Sequence, residues 1–95
     1  MGIAKDSIES LKLKAKISDF VLSSTSGKLR GNKGMALCPF HGEKTASMSF
    51  TDEENLFHCF GCKEGGDIFK YVQLTNNTEF QESVETVAEK YAFNL

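Results

Sequence analysis

No stretch of this chain approaches the roughly 20 consecutive apolar residues that a bilayer-spanning helix needs, so no membrane span is expected. The opening, MGIAKDSIESLKLKAK, is polar and amphipathic throughout rather than charged and then apolar. No secretory signal is therefore expected, and the expected location is the cytoplasm. Cysteine is scarce and odd in number, with three in 95 residues, so a disulfide framework is excluded, and a cytosolic setting disfavours one in any case. Low-complexity tracts and internal repeats are absent. At this length the chain forms one small domain, 1–95. With 40% hydrophobic and 25% charged residues it reads as globular rather than disordered. A domain this small buries a modest fraction of its surface and gains from an added cross-link or metal.

Strong net charge is also missing, and that absence misleads. The total is −2, which alone speaks against a nucleic-acid binder, but the distribution is uneven. Residues 28–50 hold Lys28, Arg30, Lys33 and Lys44 against Glu43, a balance of +3. Residues 51–95 hold nine acids against Lys63, Lys70 and Lys90, a balance of −6. A basic middle beside an acidic C-terminal part is either a solvated surface or a pair of binding faces.

Residues 6–22 read as helix with one break. Ile8, Leu11 and Ala15 recur at helical spacing, as do Ile17, Phe20 and Val21, and Ser18–Asp19 mark the start of the second piece. SSTSG at 23–27 is a stop. In 28–62 the helical period disappears. TASMSF at 45–50 alternates as a half-buried strand, with Met48 and Phe50 on one side, and LFHCF at 56–60 can pair back on it as a hairpin. Helix returns over 67–92. Asp67 caps a first segment after Gly65–Gly66. Thr78 with Gln81 makes a capping box for a second. In that second segment Phe80, Val84, Val87, Ala88 and Tyr91 form a buried stripe.

All three cysteines and both histidines fall within CPFHGEKTASMSFTDEENLFHCFGC, residues 38–62. Cys38 and His41 have two residues between them, as do Cys59 and Cys62. A two-residue spacer lets a tight turn aim two side chains at one point. Two such turns facing each other supply the tetrahedral ligand set that Zn²⁺ prefers. Gly42 and Gly61 sit where the turns call for conformational freedom. The set Cys38, His41, Cys59, Cys62 leaves no open coordination position, so one structural zinc per chain is expected, not a hydrolytic site. Metal-bound thiolates disfavour a cysteine nucleophile. A redox Cys-x-x-Cys lacks its βαβ context, and an iron–sulfur centre is the runner-up. His58 lies on the opposite strand face from Cys59, either as a surface imidazole or as a nucleic-acid contact. Phe40 and Phe60 read as core around the site, and Phe57 as core or as a stacking platform.

These pieces, LCPFHGEKTAS at 37–47, FHCFGC at 57–62, GGDIFKYV at 65–72, FQESVETVAEKY at 80–91 and Ile-x-Asp-Phe-Val at 17–21, resemble the zinc-binding domain of bacterial DnaG-type DNA primases. The resemblance covers nearly the whole chain. It implies an α+β fold: a zinc ribbon with a small antiparallel sheet of about five strands, flanked by N- and C-terminal helices. It matches Cys38, His41, Cys59 and Cys62 to the zinc ligands. It places Lys44, Thr45 and Ser47 near a DNA-facing sheet, with Lys28 and His58 on that face. The chain departs from the family pattern at Asn32, Gly34, Ala46, Met48 and Glu54, which leaves the implied DNA face weaker in charge while the metal core matches.

The function expected from this resemblance is a template-recognition module that binds single-stranded DNA and helps select primer start sites. Lys28, Arg30, Lys33 and Lys44 would neutralise phosphates, Thr45 and Ser47 would donate hydrogen bonds, and Phe57 or His58 would contact bases. Implied partners are a TOPRIM-type polymerase domain, in cis or in trans, and a replicative helicase through the parent protein. No catalytic residues are expected in this stretch itself. The alternatives are a zinc-stabilised protein-interaction module docking through its acidic C-terminal helices, and a stand-alone relative from a mobile element.

Overall fold

A computed structural model describes residues 5–40 and 47–94. Two helices come first, α1 (Lys5–Lys14) and α2 (Ile17–Ser24). Five strands follow: β1 (Gly27–Arg30), β2 (Lys33–Ala36), β3 (Met48–Thr51), β4 (Leu56–Cys59) and β5 (Gly65–Asp67). Helices α3 (Ile68–Asn76) and α4 (Phe80–Lys90) complete the order. The strands form one antiparallel meander in chain order. The expected α+β zinc-ribbon architecture is therefore present, with its sheet of five strands.

The break between α1 and α2 has a tertiary cause. Asn55, in the β3–β4 turn, accepts from the Ile17 N–H at 2.8 Å and donates to the carbonyls of Lys12 at 2.6 Å and Ala15 at 2.9 Å. The α2 N-terminus is capped from the same turn, because Asp52 accepts from the Ser18 N–H at 2.8 Å and the Ser18 hydroxyl at 2.6 Å. Helix α2 thus starts at Ile17, one residue before the expected Ser18, since its cap comes from a distant carboxylate and not from a local side chain.

The hairpin β1–β2 turns at Gly31, whose φ of 62° suits a glycine-first two-residue turn. Pairing registers sort the sheet into two faces. Gly27, Ala36, Met48 and Cys59 form one inner row, and Leu29, Gly34, Phe50, Phe57 and Gly66 the other. Helix α2 covers this face along β1–β3, and α3 covers it along β4–β5. Gly34 is required here: a Cβ on it would lie 2.4 Å from the Phe50 ring. Met48, Ile68, Val72, Val84 and Val87 are buried beneath the sheet and between the helices, each worth about 1.5–3 kcal/mol relative to exposure.

Asp67 caps α3 as expected, accepting from the Lys70 N–H at 2.9 Å. The expected capping box on α4 does not form. Thr78 is drawn back to the previous helix, its N–H donating to the Gln73 carbonyl at 3.1 Å, and Glu79 stands at the N-cap with no side-chain cap bond. The apolar stripe of α4 is buried at Val84, Val87 and Ala88, but Phe80 is 45% exposed with its edge on Phe69. Tyr91 ties the end of α4 to α2, accepting from the Lys16 N–H at 3.0 Å and donating to Asp19 at 2.6 Å. Among the described residues no helix is long and apolar enough to cross a membrane.

Candidate metal centre and sheet face

Three of the four expected ligands converge. The sulfurs of Cys38, Cys59 and Cys62 all lie within 4.8 Å of one another, with Cys38 and Cys62 3.7 Å apart. Thiolates bound to a tetrahedral zinc at ~2.3 Å are separated by about 3.8 Å, so the spacing fits that ion. His41 lies outside the described residues, together with Lys44 and Thr45. Cys38 follows β2, Cys59 ends β4, and Cys62 sits in the turn before β5, so the sheet itself brings Cys38 to the Cys59–Cys62 turn.

The second turn is closed by two backbone bonds. The Lys63 N–H donates to the Cys59 carbonyl at 2.9 Å, and the Cys59 N–H to the Glu64 carbonyl at 2.8 Å. Its left-handed residue is Lys63, with φ 69°, rather than the expected Gly61. That bond reaches one residue past the Cys-x-x-Cys span, and the chain must reverse there.

Electrostatics treat Cys59 and Cys38 in opposite ways. Burial would push Cys59 up. The N–H of Cys62, the Ser47 hydroxyl, the Cys38 thiol and the N–H of Gly61 outweigh it and bring Cys59 from the ordinary 9.0 down to about 6. Burial pushes Cys38 up to about 12, against an N–H bond from Phe40. Cys59 is therefore the thiol of this cluster disposed to carry a thiolate, while Cys38 is held as a thiol by its burial.

Phe40, Phe57 and Tyr71 pack beside the thiols, with ring centroids 5.2–5.8 Å apart. Phe57 is 4% exposed. It belongs to the core and cannot act as a stacking platform, because it shares the inner row with Phe50 and Gly66. Ser47, expected at a DNA contact, sets its hydroxyl 3.6 Å from the Cys59 sulfur and receives the Phe60 N–H on its carbonyl at 2.9 Å.

Phe60 reverses the expectation of a core role. It is 58% exposed, and its ring meets that of His58 edge-on at 4.8 Å. Strand alternation explains the pair: His58 projects outward while Phe57 and Cys59 project inward. Phe60 lies beyond the strand, where period-two reasoning no longer applies.

The outer face carries two rows. Lys28, Met35, Ser49, His58 and Gly65 form one, and Arg30, Lys33, Thr51, Leu56 and Asp67 the other. Apart from Asp67, these residues line a depression of about 1000 Å³, joined by Lys63 and Glu54. Lys28, Arg30 and Lys33 are thus brought together as expected. Lys63, Met35 and Leu56 were not anticipated, because the sheet register places Met35 and Leu56 on this face and the β4–β5 turn brings Lys63 to it.

The family model of the CHC2 zinc finger matches residues 3–95. The chain belongs to the CHC2 zinc-finger family of DnaG-type primases. It carries the structural zinc of that family, consistent with the three-sulfur cluster. It is 37% identical over 90 residues to the DNA primase of Staphylococcus epidermidis, covering 95% of this chain and 15% of that one. It is 38% identical over 93 residues to the DNA primase of Campylobacter jejuni, covering 98% and 15%. The crystal structure of the Aquifex aeolicus primase, comprising zinc-binding and RNA polymerase domains, superposes with a TM-score of 0.82 at 29% identity, over 94% of this chain and 22% of that one. The CHC2 chain described here spans about 15% of the length of the curated relatives it matches.

Proposed function

We propose that this CHC2 zinc finger is a single domain, 1–95, that holds zinc through Cys38, His41, Cys59 and Cys62 and reads single-stranded template DNA for primer synthesis. The observation that carries this reading is the outer sheet face. Four exposed cations, Lys28, Arg30, Lys33 and Lys63, surround a depression floored by Met35, Ser49, Thr51 and Leu56 and extended by His58. Cations of that kind hold phosphates irrespective of sequence, while uncharged and aromatic groups meet bases. Lys44 and Thr45 lie outside the described residues, and on the family resemblance they are proposed as further DNA contacts. Chemistry on nucleotides would fall to a TOPRIM-type polymerase domain, in cis or in trans, with a replicative helicase reached through the same parent protein. The setting would be cytoplasmic.

Titration of labelled single-stranded DNA at a series of salt concentrations tests this reading. Four phosphate contacts at about 0.7 each make log K fall by roughly 3 per tenfold rise in salt. Lys33→Ala should weaken binding and lower that slope by about 0.7. A slope near zero in the wild type would remove the account.

Phe60→Ala should separate stacking from charge. Loss of a base–aromatic contact costs about 1–3 kcal/mol, so affinity should drop by at least fivefold with the salt slope unchanged. Unaltered affinity would confine recognition to the cationic strands.

A second reading has one specific observation behind it. On α4, Glu82, Glu85 and Glu89 are all exposed, on the side of the helix away from the buried Val84, Val87 and Ala88. That acidic face suits docking onto a basic protein partner, and charge reversal there would disturb assembly while sparing DNA affinity.

A further inference from the structure

The β3–β4 turn, Asp52 to Asn55, carries four polar side chains, and three are committed. Asp52 caps α2, Asn55 clamps the α1–α2 junction, and Glu53 accepts from the Asn32 amide at 3.2 Å. Glu54 differs from them. It is exposed, has no hydrogen bond or ion pair to any described residue, and lines the sheet-face depression with Thr51 and Leu56. Among the described residues it is the one carboxylate lining this depression, beside Lys28, Arg30, Lys33 and Lys63; it repels a phosphate, yet it accepts N–H donors from a base.

The layout separates these roles. Cations concentrate on β1 and β2, so a bound strand would set its phosphates there and spread its bases over β3 and β4, where Ser49, Thr51, Leu56 and His58 are exposed or half-buried. Single strands leave the Watson–Crick edge of each base free. Only guanine presents two adjacent donors on that edge, N1–H and N2–H, matching the two oxygens of a carboxylate. Thymine flanks its single N3–H with carbonyls, and cytosine and adenine each place an acceptor beside the amino group.

We infer that Glu54 is a base-reading residue that selects guanine in the bound strand. This rests on the strand-binding function proposed above. It makes the feature that weakens the charge of the face the one that gives it sequence preference.

The test is fluorescence anisotropy of the zinc-loaded chain at one salt concentration with three labelled oligomers. These are oligothymidine, the same oligomer with isolated guanines, and that oligomer with inosine, which lacks the 2-amino group, in place of guanine. The guanine oligomer should bind roughly tenfold tighter than oligothymidine, and inosine should forfeit most of that gain. Glu54→Gln keeps one acceptor but sets an amide N–H₂ against the base donors, so it should bring guanine and thymine oligomers together at unchanged zinc content. Equal wild-type affinity for the two would overturn the inference. So would a uniform tightening of all three by Glu54→Gln, which would mean simple phosphate repulsion. Failure of the wild type to bind any of them would remove the strand-binding function itself, and this inference with it.

Discussion

Cys59→Ser should abolish the native fold, not merely weaken it. Cys59 is fully buried, ends β4, pairs with Met48 on the inner row, and offers its sulfur to the metal beside Cys38 and Cys62. Structural zinc contributes on the order of 10–16 kcal/mol in small domains at neutral pH, whereas total stability of a domain is typically about 5–15 kcal/mol. Loss of one thiolate removes a large part of the first figure and exceeds what the remaining core can cover. The measurement is metal content together with dispersion of the amide NMR spectrum. Cys59→Ser and chelator-treated wild type should both show collapsed dispersion and no stoichiometric zinc. His58→Ala, one residue away, should keep both, because that imidazole lies on the outer face. A Cys59→Ser protein that retained one zinc and native dispersion would remove the assigned ligand set.

Acid should imitate that variant, and the sign follows from the hydrogen bonds to Cys59. Its folded value of about 6 lies below the ordinary 9.0, so the thiolate favours the fold fully above the ordinary value, and this contribution is lost as pH falls through about 6. Zinc release should follow the same direction, because each ligand must shed its proton to bind.

The metal centre was legible because spacing is a local property: two residues between ligands means a turn, and the intervening strands had alternation strong enough to pair. The same locality explains Asp67 as a cap and the α3 segment that follows it. What escaped were features decided by remote chain. Thr78 and Gln81 satisfy a capping rule, but the Gln73 carbonyl competes for the Thr78 N–H. Phe57 and Phe60 lie on either side of Cys59, and the register of β4 sends Phe57 into the core while Phe60, past the end of the strand, is 58% exposed. The depression assembles residues from all five strands and two turns, so Lys63 joins Lys28 only once the meander exists. Glu54 looked like a charge of the wrong sign until its neighbours in the turn were accounted for.

Asn55 belongs to the same group, and it carries the other large expected effect. Its side chain is 2% exposed, and it satisfies three main-chain groups at the α1–α2 junction within 2.9 Å. Nothing in the charged stretch TDEEN distinguishes it from an ordinary turn residue, since its partners lie 38–43 positions away. Asn55→Ala leaves those groups without a side-chain partner, at about 1–3 kcal/mol for each that stays buried. It also places a residue less tolerant of the left-handed region at φ 53°, for about 1 kcal/mol more. A loss of about 3–6 kcal/mol is expected in denaturant melts of the zinc-loaded chain, not fully additive because the three groups share one junction. Asn55→Gly removes the same bonds but relieves the backbone, so the gap between the two variants measures the conformational part at about 1 kcal/mol. Asn55→Asp keeps an acceptor for the Ile17 N–H but turns a carboxylate toward two carbonyls, so it should fall near alanine rather than near wild type. If alanine instead cost less than about 1 kcal/mol, water would be reaching the junction, and the Asp52 cap and Tyr91 would be sufficient to hold α2 on the sheet.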